Sequence, residues 1–164
     1  MLFTVGHSNH SPEFFLALLK SHAITVVVDV RSAPYSRYVT HFNKSEIEQT
    51  LQAAGIHYIY MGDVVGGKPK DKSFYNPSGR VQYEVLARTR IFQAGLDRLA
   101  KGLARGWRIG LMCAEEDPSK CHRHQLIART LEKERQIPVW HVRADGTLIR
   151  AGEMLDPPQQ LQLF

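Results

Sequence analysis

The segment Ile24-Thr-Val-Val-Val-Asp-Val30 restricts the fold more than any other part of the chain. All its residues except Asp29 are β-branched, and polar residues do not alternate through it. Such a run reads as a strand buried on both faces, the situation of a parallel sheet covered by helices on either side. The rest of the chain fits that frame. Phe3-Thr-Val5, Ile56 to Met61, Trp107 to Cys113 and Ile137 to Val142 read as further strands. Ser11 followed by Pro12 and apolar residues at helical spacing marks a helix start. Asn43 or Ser45 opens a second helix that stops at Gly55. Residues 62–79, rich in Gly, Pro and Lys, read as a long loop of the kind that often carries function. Val81 to Arg105 reads as one long helix ended by Gly106, and a last helix runs from Asp117 or Ser119 to Glu134. Asp145-Gly146 reads as a turn into Thr147 to Arg150.

Strand and helix alternate throughout, so the expected fold is α/β: three layers, with a mostly parallel sheet of about five strands and helices on both faces. Residues 1–155 form a single domain on this reading, followed by a tail over 156–164. With 164 residues, 43% of them hydrophobic and 23% charged, the chain can build a proper core. Two cysteines are too few for a disulfide scaffold. The N-terminus lacks the basic start and apolar run of a signal peptide, and no stretch is long and apolar enough for a membrane span. The expectation is a cytoplasmic protein with reduced thiols. A formal charge of +5 favours polyanionic partners.

In a parallel α/β sheet, ligands bind beyond the carboxyl ends of the strands. Four strand ends here are polar. The first offers His7 and Ser8, and the second Asp29, Arg31, Ser36 and Arg37. The third leads to Asp63, Gly66, Gly67 and Lys68. The fourth carries Cys113, Glu115 and Glu116, followed by Cys121, His122 and Arg123. Asp29 lies inside an apolar strand and needs a partner, for which Arg31 and Arg37 are the candidates.

Asp117-Pro118 is a good helix opening, which would put Cys121 in the first helical turn, where the dipole favours a thiolate or a bound phosphate. Two readings stay open: a nucleophilic or redox thiol, and small packing cysteines beside an anion site. Cys113, Cys121, His122 and a carboxylate could also supply four metal ligands. The Cys spacing matches no standard zinc pair, however, and adjacent Cys and His within a helix point apart. No cofactor is expected, with a divalent metal left as an alternative. A phosphatase-type loop would need arginine at position 119, which is serine. The Val28-Asp-Val-Arg31 segment resembles the rhodanese fold at its second motif only, and the cysteine loop lacks the short rhodanese form. Glu115 and Glu116, with Glu115 the better placed, and His7 and His122 are the acid/base candidates.

Thr4-Val-Gly-His-Ser8, Asp29-Val-Arg-Ser-Ala-Pro-Tyr-Ser-Arg37 and Cys113 to Arg123 together resemble the domain of unknown function 488 family. The resemblance implies an α/β domain. It also implies a shared pattern of His7, Ser8, Asp29, Arg31, Pro34, Ser36, Arg37, Cys113, Glu115, Cys121, His122 and Arg123. It implies no reaction.

The tail carries a further motif. Gln160-Leu-Gln-Leu-Phe164 resembles the peptide by which bacterial DNA-processing proteins dock on the replication sliding clamp. Leu161, Leu163 and Phe164 would fill an apolar pocket while Gln160 bonds at its rim. The alternative is a tail docked on its own domain. Lys68, Lys70, Lys72 and Arg80, interleaved with Phe74 and Tyr75, suit a nucleic-acid strand; the alternative is a solubilising loop or an active-site lid.

The combined expectation is a DNA- or nucleotide-processing protein of a repair or replication setting, hydrolytic in chemistry. Catalysis is assigned to Glu115, Cys121, His122, Cys113 and His7. Phosphate or substrate binding is assigned to Ser8, Asp29, Arg31, Ser36, Arg37, Arg123 and Lys68. Its alternatives are a non-catalytic nucleic-acid or clamp-binding module, and a thiol enzyme for redox or sulfur transfer on a small substrate.

Overall fold

A computed structural model gives the structure of residues 1–154. They form one six-stranded sheet whose strands are β1 (Leu2–Gly6), β2 (Val26–Asp29), β3 (His57–Tyr60), β4 (Ile109–Cys113), β5 (Val139–Val142) and β6 (Leu148–Arg150). The spatial order is β3-β2-β4-β1-β5-β6, with β1 to β5 parallel and β6 antiparallel to β5. The fold is therefore α/β as expected, with one strand more. The sixth forms because the Asp145-Gly146 turn closes a hairpin: Asp145 accepts from the Thr147 N–H and Gly146 takes φ +83°.

Period-two alternation sorts the sheet residues into two cores. Phe3, Val5, Val27 and Met112 face α1 (Pro12–Ser21) and α2 (Lys44–Ala53), meeting Phe15, Leu19, Ile47 and Leu51. Leu2, Val26, Val28, Ile109, Leu111 and Val139 face the other way. There they meet α3 (Gly62–Val65), α4 (Tyr83–Ala87), α5 (Arg90–Ala104) and α6 (Arg129–Arg135) through Val65, Leu86, Phe92, Leu96 and Leu131. Three layers result. Among the described residues no helix is long and apolar enough to cross a membrane.

Local chemistry explains most boundaries. The Ser11 hydroxyl accepts from the Phe14 N–H and caps α1. Asn43 precedes α2 but turns its carboxamide to the Ser36 N–H instead of capping it. The predicted helix from Val81 to Arg105 is two helices, because the Thr89 hydroxyl accepts from the Phe92 N–H and starts α5 afresh. The predicted loop over 62–79 contains α3 and a short 3-10 turn, Lys72–Phe74, and is tied down by a bridge between Tyr75 and Val81.

The largest departure lies after β4. Asp117 does act as a cap, accepting from the Ser119 N–H, but the product is a single 3-10 turn, Pro118–Lys120. Cys121 is then extended, at φ −127° and ψ 144°, and the helix starts at His122. Its first stretch, Arg123–Ala128, is a π-helix that runs into α6. Such widened turns frequently accompany functional sites.

Gly6 ends β1 hard against this segment. A Cβ there would overlap the Glu115 carbonyl and come within 2.7 Å of Glu116 Cα. Gly6→Ala is expected to lower the unfolding free energy by about 3 kcal/mol, at the top of the usual overpacking range. Gly79→Ala, at φ +80° but facing open space, should cost about 1–2 kcal/mol. Urea denaturation of the two variants measures the contrast.

Candidate functional site

A cleft of about 500 Å³ opens at the carboxyl ends of β2 and β4. Cys113, Cys121 and His122 line it, as do Arg31, Ser32, Gly67, Lys68, Tyr75, Tyr83, Glu115 and Lys120. This is the position that a parallel sheet prepares for a ligand.

The reactive groups come from three places. Cys113 is the last residue of β4, Cys121 is the extended residue before the helix, and His122 is the first residue of that helix. Both thiols are free and buried. Each sulfur lies 3.8 Å from His122 Nδ1. The expectation that adjacent Cys and His diverge fails, because the backbone turns from extended to helical between them. The imidazole is held at its far end: Nε2 lies 3.0 Å from the Val30 carbonyl. A carbonyl only accepts, so Nε2 carries the proton and Nδ1 presents its lone pair to the two sulfurs. Gly67 lies so close to the His122 ring that a Cβ would strike Cγ, and a Cβ on Gly66 would strike the Gly62 carbonyl and the Ser32 hydroxyl.

The two thiols are electrostatically unequal. A hydrogen bond from Cys113 pushes the Cys121 thiol down, and the positive charge of Arg123 adds to it. Cys113 is pushed up by that same bond and by burial.

Arg123 has a different role from the one expected. Its side chain is fully buried, and it does not line the cleft. Nε donates to the Thr4 hydroxyl at 2.9 Å, and the two terminal nitrogens donate to the Glu115 and Glu116 carbonyls. Its donors shape the cysteine loop and are turned away from any phosphate in the cleft. Thr4, having accepted from Arg123, donates to His141 Nδ1 at 2.7 Å, and His141 Nε2 donates to His124 Nδ1 at 3.0 Å.

The second-strand residues form their own network across the sheet. Asp29 accepts from Arg31 Nε at 2.9 Å, from its terminal nitrogen at 2.7 Å and from the Tyr58 hydroxyl at 2.7 Å. Arg31, not Arg37, is thus the partner that Asp29 requires. The remaining Arg31 nitrogen donates to His7 Nε2 at 3.1 Å, while His7 Nδ1 donates to the Ser8 carbonyl and its ring stacks on Phe42. Arg31 contributes charge to the cleft wall, and each of its three side-chain nitrogens has a partner within the protein.

Of the expected residues, Cys113, Glu115, Cys121, His122, Arg31 and Lys68 meet at the cleft. His7, Ser8, Asp29, Ser36, Arg37 and Arg123 do not line it. Ser36 accepts from the Tyr38 and Val39 N–H groups and shapes its own loop. Arg37 is exposed and lies over the Tyr38 ring. Glu115 is exposed, and its carboxylate accepts from the Asp117 N–H at 3.1 Å. Gln160, Leu161, Leu163 and Phe164 lie outside the described residues. Sequence reading missed Tyr83 and Lys120, because a single tyrosine and a single lysine carry no pattern.

Fold and site together define a class: three-layer α/β proteins with a two-cysteine, one-histidine cluster in a cleft at the carboxyl ends of parallel strands. Within that class, residues 11–130 match the family described as domain of unknown function DUF488, and the chain belongs to that family. The matched span holds both the Asp29 and the Cys113–Arg123 blocks, and the Thr4–Ser8 block precedes it. No curated protein and no solved structure matches the chain.

Burial lowers the pKa of His7 to about 4 and that of His141 to about 3. Both rings are neutral in the folded protein, whereas the unfolded chain takes up protons near pH 6.5. Stability therefore rises with pH across this window and is lost as pH falls from about 6.5 toward 4. His7 alone accounts for about 3 kcal/mol between pH 7 and pH 4. Denaturant unfolding across that range should show the slope, and His7→Gln should reduce it.

Proposed function

We propose that this protein is a hydrolytic enzyme acting on DNA or on a nucleotide, with its chemistry at Cys113, Cys121 and His122. One observation carries the reading: these groups lie in the floor of a cleft walled by cations and aromatic rings. Lys68 and Lys120 are exposed and line it, Arg31 adds positive charge, and Tyr75 and Tyr83 supply ring surface. Cations suit phosphate and aromatic rings suit bases. The lysines take the phosphate-holding role expected of the arginines, since Arg123 is buried away from the cleft and the Arg31 nitrogens bond to Asp29 and His7. The cleft volume lies in the range typical of small-molecule and cofactor sites. Glu115, exposed and lining the cleft, is the carboxylate for proton transfer.

The test is product formation from single-stranded and duplex DNA and from nucleoside mono- and triphosphates, in zinc-containing buffer. His122→Ala and Cys121→Ser should each lower turnover by on the order of 100-fold or more, as expected for removing a proton-handling or nucleophile-forming group. Lys68→Ala should instead raise KM with little change in kcat. Salt-dependent DNA binding without any product would replace the enzyme by a non-catalytic nucleic-acid module.

The repair or replication setting rests on a second observation, the Gln160-Leu-Gln-Leu-Phe164 sequence. We assign it to docking on the bacterial sliding clamp, with Leu161, Leu163 and Phe164 as the apolar anchors. Pull-down by the clamp should recover the full chain and lose a chain truncated before Gln160. Equal recovery of both would remove the clamp from the reading.

A further inference from the structure

The geometry points to Cys113, Cys121 and His122 as a binding site for one divalent metal ion of the zinc class, with its remaining coordination position directed into the cleft. The inference stands on the cluster itself and deepens the hydrolytic reading, since it names the source of the attacking water.

Three features carry it. The first is distance. The two sulfurs and Nδ1 all lie within 4.8 Å of one another, and each sulfur is 3.8 Å from Nδ1. Zinc–sulfur bonds of about 2.3 Å and zinc–nitrogen bonds of about 2.0–2.1 Å at tetrahedral angles separate such ligands by roughly 3.5–4 Å. A single ion can reach all three with little movement.

The second feature is the state of the imidazole. A ligating histidine commonly donates its other ring N–H to a carboxylate, carbonyl or water, which fixes its tautomer and its direction. His122 does this with the Val30 carbonyl at 3.0 Å. Val30 is itself anchored, its N–H donating to the Met112 carbonyl. The lone pair of Nδ1 is thereby aimed at the sulfurs before any ion arrives.

The third feature is composition and access. Two thiolates and one imidazole prefer a borderline-soft ion such as zinc over magnesium or calcium. Structural zinc sites are closed by four protein ligands, whereas catalytic ones keep a position for water or substrate. Among the described residues the group holds three metal-ligating side chains, and all three line the cleft. The arrangement is that of the open kind. On binding, the two S–H bonds break, two metal–sulfur bonds form, and both protons leave to solvent. A metal-bound water facing the cleft would then be the nucleophile of the hydrolysis proposed above.

The experiment uses the full chain, purified under reducing conditions, with metal content measured and cobalt(II) titrated into chelator-treated protein. One equivalent should bind per chain, with a sulfur-to-cobalt charge-transfer band and visible bands of tetrahedral intensity, and zinc should displace it. Cys113→Ser, Cys121→Ser and His122→Ala should each weaken binding by more than about 100-fold, beyond the 10–100-fold typical of losing only an outer partner. Circular dichroism identifies any variant that fails to fold. In that event, protection of both wild-type thiols from alkylation by zinc gives the same answer without substitution. Folded, reduced protein that takes up no cobalt, or takes it up without the charge-transfer band, overturns the site. Metal bound without hydrolysis of any substrate removes the enzyme reading and leaves the site. Hydrolysis by metal-free protein does the reverse.

Discussion

The fully buried guanidinium of Arg123 is the interaction on which the rest of this site depends. A cation taken out of water is costly unless each donor finds an acceptor. Here Nε meets the Thr4 hydroxyl on β1, and the terminal nitrogens meet the Glu115 and Glu116 carbonyls. One side chain thus ties the start of the last helical segment to the central strand and to the loop after β4. Cys113 and Cys121 stand at the two ends of that loop. Fixing its middle to Arg123 holds both sulfurs within reach of one imidazole. A lysine in its place would keep the charge but lose the fork that reaches three acceptors at once.

That arrangement explains why the sequence made the position of the site legible and left its geometry hidden. The β-branched run of β2 and the Cys113 end of β4 already locate a cleft at the strand ends. The cysteine–histidine convergence, by contrast, depends on Cys121 being extended. Asp117-Pro118 reads as a helix start, and Asp117 does cap through the Ser119 N–H, but the turn it caps ends after one 3-10 unit. Nothing local announces that ending, since Ser119, Lys120 and Cys121 are all tolerated in a helix. The tertiary bonds of Arg123, made to a strand more than a hundred residues earlier, belong with the arrangement that forms instead.

The arginines show the same limit from the other side. Arg31, Arg37 and Arg123 read alike in sequence, as cations beside strand ends. Burial separates them. Arg31 answers the carboxylate of Asp29, Arg123 answers backbone carbonyls, and Arg37 stays exposed over Tyr38. Asp29 was legible as a residue needing a partner, because a carboxylate in an apolar strand has few ways to be satisfied. Two candidate arginines were open to it, and only the fold decides between them. The helix break at Thr89 was hidden for a related reason: a threonine can sit inside a helix or cap the next one, and its neighbours do not decide which.

The networks on the two faces of the sheet act on each other through one residue. Asp29 accepts the backbone N–H of Arg31 as well as its guanidinium, so the chain from 29 to 31 is pinned on the α1 and α2 face. Val30 lies between them and points its side chain into the opposite core. Its carbonyl is the group that orients His122. The Asp29, Arg31, Tyr58 and His7 cluster therefore serves the cleft without lining it: it sets the direction of a carbonyl, the carbonyl sets a tautomer, and the tautomer presents a lone pair to two sulfurs. The polar pattern shared along β1, β2 and β4 is then one device. Part of it is chemistry at the cleft, and the larger part is the buried framework that aims it.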